Sequence, residues 1–377
     1  MRELRIEVGS SGKHIERLFR RTFLSVLRLI PGRRGDAHDL AALASPRILL
    51  LRPDRIGDTI ISVPLIQMLR ERFPDAAIEM LLGEKNRSAA PLLPGLDATF
   101  VIPGSPLKIP GVIRRIRARR YDIVINLLAK DSASGAALTS LAGARFRIGF
   151  RGAHANIYDI AVPPPADSMH IVRMTALLLQ PLGIRPIAEN PSGQTERLAI
   201  VIPPGAREKM KGTIEPLLRD LPSPIVVLNI SGSSTEKFLG VESYVEVARL
   251  VRLAGITPVF AAAPGDAGLL EAIAAGSGCT ALPTTRDLAE FSALLAHADL
   301  IATPDTSIVH IAAALGKPTV VMVPSSETGL QWGPWGVPHA IVSGTGNIAS
   351  IGPDQLAVSI ISLVSATVGI FPTSSAS

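Results

Sequence analysis

Cysteine is almost absent from the 377 residues: Cys279 stands alone, which excludes an internal disulfide and fits a reducing compartment. Aromatic side chains make up only 4% of the chain, too few for the stacking platforms of a nucleic-acid binder, so no nucleic-acid partner is expected. No Cys/His cluster has metal-ligand spacing and no Asp-X-Asp pair occurs, so no metal site is expected. Long hydrophobic runs are also lacking. The apolar stretch Pro353–Phe371 is short for a membrane span, and Met1–Ser11 has no apolar core of the kind a secretory signal needs.

What is present is aliphatic. Hydrophobic residues reach 47%, enough to bury sizeable cores, and the length suggests two domains of ordinary size. The net charge of +6 is unevenly placed, with nine Arg/Lys against five Asp/Glu in residues 1–46. Within that extension, His14–Ile30 puts Ile15, Leu18, Phe19, Phe23, Val26, Leu27 and Ile30 on one helical face and Arg17, Arg20, Arg21 and Arg28 on the other. Such a helix suits an anionic membrane surface, and equally a berth on the protein's own surface. Gly9–Lys13 faintly echoes a phosphate loop but lacks its spacing and its preceding strand. Residues 31–46 read as a linker.

The stretch Arg47–Asp75 organises the rest of the chain. Ile48–Leu51 reads as a buried strand, Thr59–Phe73 as a helix stopped by Pro74, and Arg52–Asp58 as a charged turn between them. A strand feeding a helix places that turn at the carboxyl edge of a sheet, where open α/β folds bind ligands. Asp58 alone has the chemistry of a helix N-cap, and a functional carboxylate is the alternative. Strands at 77–82, 98–102, 121–126 and 145–149 alternate with a basic helix over Ile109–Arg120 and an apolar helix over Met169–Leu182, which argues for a parallel sheet. The arginines of the basic helix read as a solvated face, or as contacts to an anionic acceptor.

Residues 189–196 are rich in Pro, Ser and Gly and mark a boundary. Strands at 224–229, 257–262, 299–303 and 319–323 then alternate with helices at 241–254, 266–275 and 287–296. Between the last two of these strands comes Pro304-Asp305-Thr306-Ser307-Ile308-Val309-His310, a turn running into a helix of small residues. Free N–H groups at Thr306–Ile308 would suit a diphosphate, and Thr306 or Asp305 would equally cap a structural helix. The small-residue loop 230–237 ends on Lys237, a suitable point charge for phosphate.

These pieces resemble glycosyltransferase family 9, the ADP-heptose:lipopolysaccharide heptosyltransferases. The resemblance is carried by RILLLRPDRIGDTIISVPLIQMLRERFPDA, RRYDIVINL with RFRIGF, MHIVRMTALLLQPLGI, and ADLIATPDTSIVHIAAALGKPTVVM with WGPWG, in family order over about 47–352. It implies an α/β chain of GT-B architecture, two Rossmann-like domains with parallel sheets facing across a cleft. Residues 47–190 would form the acceptor side and residues 197–352 the nucleotide-sugar side. Residues 1–46 would be an extension, and the helix in 353–377 would return to the first domain. Asp58 matches the catalytic Asp, with Arg52 and Arg55 on the acceptor side. Lys237, Asp305, Thr306 and His310 match the donor site, and Asp266 would contact the ribose. Two departures stand out: Ser307 replaces the family's usual Gly, and Phe238-Leu239 stand where a Trp usually follows the lysine.

The implied reaction is an inverting, metal-independent transfer of heptose from a nucleoside-diphosphate sugar, by default ADP-heptose, to a lipid-linked glycan such as a lipopolysaccharide core. No cofactor beyond that co-substrate is expected. The enzyme would be cytoplasmic and peripheral on the inner face of the membrane. A non-catalytic nucleotide-sugar or glycan-binding relative, and a nonhydrolysing sugar-nucleotide epimerase, are the competing expectations.

Overall fold

The computed structural model describes residue 40 and residues 42–164, 169–187, 197–232, 234–326 and 331–368. The amphipathic stretch 14–30 and its membrane reading lie outside them. Two six-stranded sheets, parallel throughout, carry the fold. The first comprises β1 (Arg47–Arg52), β2 (Ala77–Gly83), β3 (Ala98–Ile102), β4 (Ile123–Asn126), β5 (Phe146–Phe150) and β6 (Ile160–Val162), in the spatial order 3-2-1-4-5-6. The second comprises β7 (Ile225–Asn229), β8 (Thr257–Ala261), β9 (Thr280–Ala281), β10 (Leu300–Pro304), β11 (Thr319–Val323) and β12 (His339–Ser343), in the order 12-11-10-7-8-9. These strands are aliphatic on both sides because helices cover both faces; Ile48, Leu49, Leu50 and Leu51 are all fully buried. The architecture is GT-B.

Each sheet reverses its winding once, between β1 and β4 in the first and between β7 and β10 in the second. Ligands of open α/β sheets bind at such reversals, outside the carboxyl ends of the strands. Both informative turns of the sequence leave from these points: β1 runs into the Asp58 turn and β10 into the Asp305 turn.

Eleven α-helices are described: α1 (Ile56–Ile60), α2 (Val63–Arg72), α3 (Ile109–Ala118), α4 (Ala133–Ala142), α5 (Ile171–Ala176), α6 (Pro204–Leu218), α7 (Val241–Leu253), α8 (Ala267–Ser277), α9 (Leu288–Leu295), α10 (Ser307–Ala314) and α11 (Pro353–Val368). The helix expected over Thr59–Phe73 is two, α1 and α2, broken after Ile60 ahead of Pro64, whose ring suits the first turn of the second helix. The apolar segment ending at Gly183 is likewise part α-helix and part 3₁₀, since Pro181 withholds a backbone donor. Helices α4 and α6 were not legible. The first is built of small residues, and the second has weak apolar periodicity and an internal Pro216.

The C-terminal helix corrects an expectation. Instead of returning to the first domain, α11 packs on α7, β12 and β11 of the second. Its stripe Leu356, Ala357, Ile360 and Val364 lies in the same apolar cluster as Tyr244, Val247 and Phe260, so its hydrophobic face is satisfied there. A separate apolar cluster bridges the two sheets, running from Ile48 and Leu50 to Val227 and Ile301. No helix among the described residues is long and apolar enough to cross a membrane.

Candidate active site

Arg55 is the N-cap of α1 and offers no side-chain cap, so Gly57 and Asp58 lie within the helix and Asp58 is not its cap. Beneath them Arg52 is fully buried. Its Nε donates to the Asp58 carbonyl at 2.8 Å and to Ser62 Oγ at 3.1 Å, and its Nη1 donates to the Leu127 carbonyl at 2.5 Å and to Asp54 Oδ2 at 3.3 Å. Ser62 Oγ donates in turn to the Asp58 carbonyl at 2.9 Å. The acceptor-side expectation for Arg52 is thereby corrected: its guanidinium is buried and props the turn from within. Arg55 is exposed at the rim. Asn86 supports the same turn from the neighbouring loop, donating to the Arg52 carbonyl and to Thr59 Oγ1, both at 2.7 Å.

Asp58 is only 7% exposed. Burial pushes its carboxyl up from 3.8 to about 6; Arg52 and Arg55 oppose the rise, and Asp54 adds to it. A carboxylate with that value is still largely ionised at neutral pH, yet basic enough to accept a proton in a transition state.

On the other half, Thr306 caps α10, its Oγ1 accepting from the Ile308 N–H at 3.3 Å, and Ser307 opens the helix. Lys237 Nζ is anchored beside this helix start, donating to the Asp305 carbonyl at 2.5 Å and to Asp305 Oδ2 at 2.8 Å. Asn229 Nδ2 ties the ends of β7 and β10 together through Thr303 Oγ1 at 2.9 Å. Asp266 sits at the end of the neighbouring strand, where its Oδ2 accepts from Ser231 Oγ at 2.5 Å. Phe238, in the place of the family's usual Trp, stacks obliquely on Tyr244 with ring centroids 5.9 Å apart.

The two turns meet. Helix α1 packs on helix α10. A Cβ placed on Gly57 would lie 2.8 Å from His310 Cδ2 and 3.5 Å from Ser307 Cα, so glycine is what lets α1 reach α10. His310, matched to the donor site by resemblance, is a buried ring, 4% exposed, clamped between the halves. Burial, with His170 and Arg52 nearby, lowers its pKa to about 4 against the opposing pull of Asp305, so the ring is neutral at physiological pH. The His310 Nδ1, the Arg52 Nη2 and the Asp54 Oδ1 are all buried with no hydrogen-bond partner among the described residues.

Two described residues of the seam received no role from the sequence. His170 Nδ1 accepts from the Val172 N–H at 3.2 Å, which puts the proton on Nε2, donating 3.1 Å to the Gly333 carbonyl. Its ring lies 4.6 Å from that of Trp335. Burial lowers its pKa to about 4 as well. The segments that carry it and Trp335 were legible as family pieces, but the contact between them spans 163 positions and leaves no local signal.

A family model for glycosyltransferase family 9 (heptosyltransferase) matches residues 110–351. The chain belongs to glycosyltransferase family 9. Within that family it is similar to lipopolysaccharide heptosyltransferase 3 of Escherichia coli K12, 26% identical over 297 residues that span 74% of this chain and 82% of that protein. It is also similar to the lipopolysaccharide core heptosyltransferase OpsX of Haemophilus influenzae, at 23% over 292 residues, 74% of this chain and 78% of that one. Among solved structures, the family 9 glycosyltransferase of Veillonella parvula superposes with a TM-score of 0.70 at 21% identity, covering 85% of this chain and 97% of that one. The E. coli ADP-heptose lipopolysaccharide heptosyltransferase II follows the same fold, with a TM-score of 0.66 at 20% identity over 84% and 98% of the two chains. This family 9 chain is a glycosyltransferase.

Gly57 offers a direct test of the seam in this glycosyltransferase. Gly57→Ala is expected to push α1 off α10, costing about 1–3 kcal/mol as an overpacked contact. Turnover should fall about tenfold or more while nucleotide affinity holds, read from steady-state kinetics beside a nucleotide titration. Wild-type kinetics in this variant would show that the two turns work apart.

Proposed function

We propose that the chain moves a heptose, or a closely related sugar, from a nucleoside-diphosphate sugar to a lipopolysaccharide-core or other lipid-linked acceptor. ADP-heptose is the proposed donor, since relatives of the chain are named for heptosyl transfer and one solved neighbour is an E. coli heptosyltransferase bound to ADP-2-deoxy-2-fluoro heptose. The observation that supports the reading is the packing of α1, which carries the buried Asp58, on α10, beside whose start Lys237 is anchored.

In this reading Asp58 removes the proton of an acceptor hydroxyl. The hydroxyl oxygen forms the new bond to the anomeric carbon as the bond to the diphosphate oxygen breaks, and one displacement inverts that centre. Charge growing on the leaving diphosphate is met by Lys237 and by the N–H groups at the start of α10, both oriented in advance. Asp305 keeps the lysine at that position before the donor arrives. In the same reading Asp266, bonded by Ser231, contacts the ribose, and the exposed Arg55 serves the acceptor. No step is assigned to a metal, and the proposed site of action is the cytoplasmic face of the membrane.

Donor binding is testable without knowing the acceptor. ADP should raise the melting temperature of the full chain more than UDP or GDP does, because a ligand of the folded state stabilises by RT ln(1 + [L]/Kd). Lys237→Ala should weaken ADP by about tenfold or more, the loss of a charge-assisted contact. Equal shifts for all three nucleotides would rule out ADP selectivity, and no shift for any would rule out the donor site.

A further inference from the structure

The imidazole of His170 ties one domain to the other and takes no part in the transfer chemistry. On the first domain it caps α5, where its Nδ1 accepts the Val172 N–H. On the second its Nε2–H reaches the Gly333 carbonyl, in the loop between β11 and β12. Gly333, Pro334 and Trp335 of that loop are buried. A side chain that only filled space in the seam would need neither nitrogen. Here both are spent on backbone, one bond in each domain, so the ring fixes direction as well as separation. Burial, with His339 and Arg173 nearby, lowers its pKa to about 4 against the pull of the Gly333 carbonyl. The ring is therefore neutral at physiological pH, and its one proton stays on Nε2.

Packing couples the pinned loop to the two helices of the seam. Trp335, Ile308 and Ile311 of α10, Ile171 and Val172 of α5, and Ile60 of α1 belong to one apolar cluster. After burial, His170 is the next influence that lowers the pKa of His310, the ring that meets Gly57. A loop that slid off His170 would let α10 shift against α1, because a close-packed interior transmits such strain. We infer that His170 is a positioning residue: its Nε2–H holds the Gly333–Trp335 loop against the first domain and so sets where the start of α10 stands relative to Asp58. The consequence for turnover rests on the sugar-transfer reading; the hold on the loop does not.

Two substitutions separate the two nitrogens. His170→Asn keeps an acceptor for the Val172 N–H but is too short to reach Gly333, whereas His170→Gln carries an amide donor to about the position of Nε2 and gives up the cap. The chain's two tryptophans, Trp332 and Trp335, both lie in the pinned loop, so tryptophan emission of the full chain reports on that loop. In His170→Asn the emission should move to the red as Trp335 meets water. Its kcat should fall about tenfold or more, as misaligned reacting groups do, while the affinity for ADP holds. His170→Gln should return both emission and kcat to near the wild-type values. Wild-type emission and kcat in His170→Asn overturn the inference. So does a His170→Gln variant no better than His170→Asn, since ring packing and not the Nε2 bond would then be responsible. A kcat loss that merely follows the melting temperature in both variants overturns it too. Should the wild-type chain transfer no sugar at all, the emission of the two variants still decides whether the Nε2 bond holds the loop.

Discussion

Asparagine at position 58 is expected to lower turnover by roughly three orders of magnitude, within the range that a positioned general base contributes, while the affinity for ADP stays at its wild-type value. The substitution keeps the size and polarity of the side chain and the backbone bonds that Arg52 and Ser62 make to the Asp58 carbonyl, so the helix it sits on is undisturbed. What it removes is the capacity to take a proton. The same side chain sets the pH dependence. With a carboxyl pushed up to about 6, turnover should fall as the pH drops through that value and the base becomes protonated. The stability effect has the opposite sign. A carboxyl whose pKa is raised on folding destabilises the fold when ionised, so stability rises as the pH falls from about 6 toward 4. Asp58→Asn should accordingly be more stable than wild type at pH 8, by about 2 kcal/mol, in urea unfolding. A variant that is both inactive and unstable would point to a structural role for the carboxylate instead.

Arg52→Ala is expected to cost about 3–5 kcal/mol of stability, because it strands buried acceptors that the guanidinium satisfies. Four groups lose a donor at once: the carbonyls of Asp58 and Leu127, the Ser62 hydroxyl and one oxygen of Asp54. Three of these lie on or against the Asp58 turn, so activity should collapse with the fold margin. Arg52→Lys should recover only part of the loss, since a point charge cannot serve carbonyls on two sides of the strand. Urea midpoints of the two variants measure this. An arginine that met the acceptor in the cleft would behave otherwise, leaving the midpoint alone and raising the acceptor KM.

The contrast between these two residues explains how far the sequence could be read. The alternation of aliphatic strands with helices was legible because fully buried parallel strands leave no ambiguity in runs such as Ile48–Leu51 and Val320–Val323. Both turns at the winding reversals were legible too, since a charged or small-residue turn between a strand and a helix has few structural meanings. Residues whose role depends on direction were not. Arg52 and Arg55 are three positions apart in one charged turn, yet one faces the core and the other the solvent. His310 shows the same limit: the resemblance assigned it to the donor site, while the packing of the first half against it made it a neutral ring in the seam. The path of α11 depended on which apolar cluster had room for its stripe, and that is a property of the assembled fold.

The central claim is that this chain adds one sugar to a lipid-linked acceptor through Asp58. Mass spectrometry of the acceptor glycan from cells carrying the wild-type chain, the Asp58→Asn chain or no copy tests it most directly. The expected result is a glycan larger by one heptosyl unit with the wild-type chain only. The same glycan in all three cells would contradict the claim, as would full extension by Asp58→Asn.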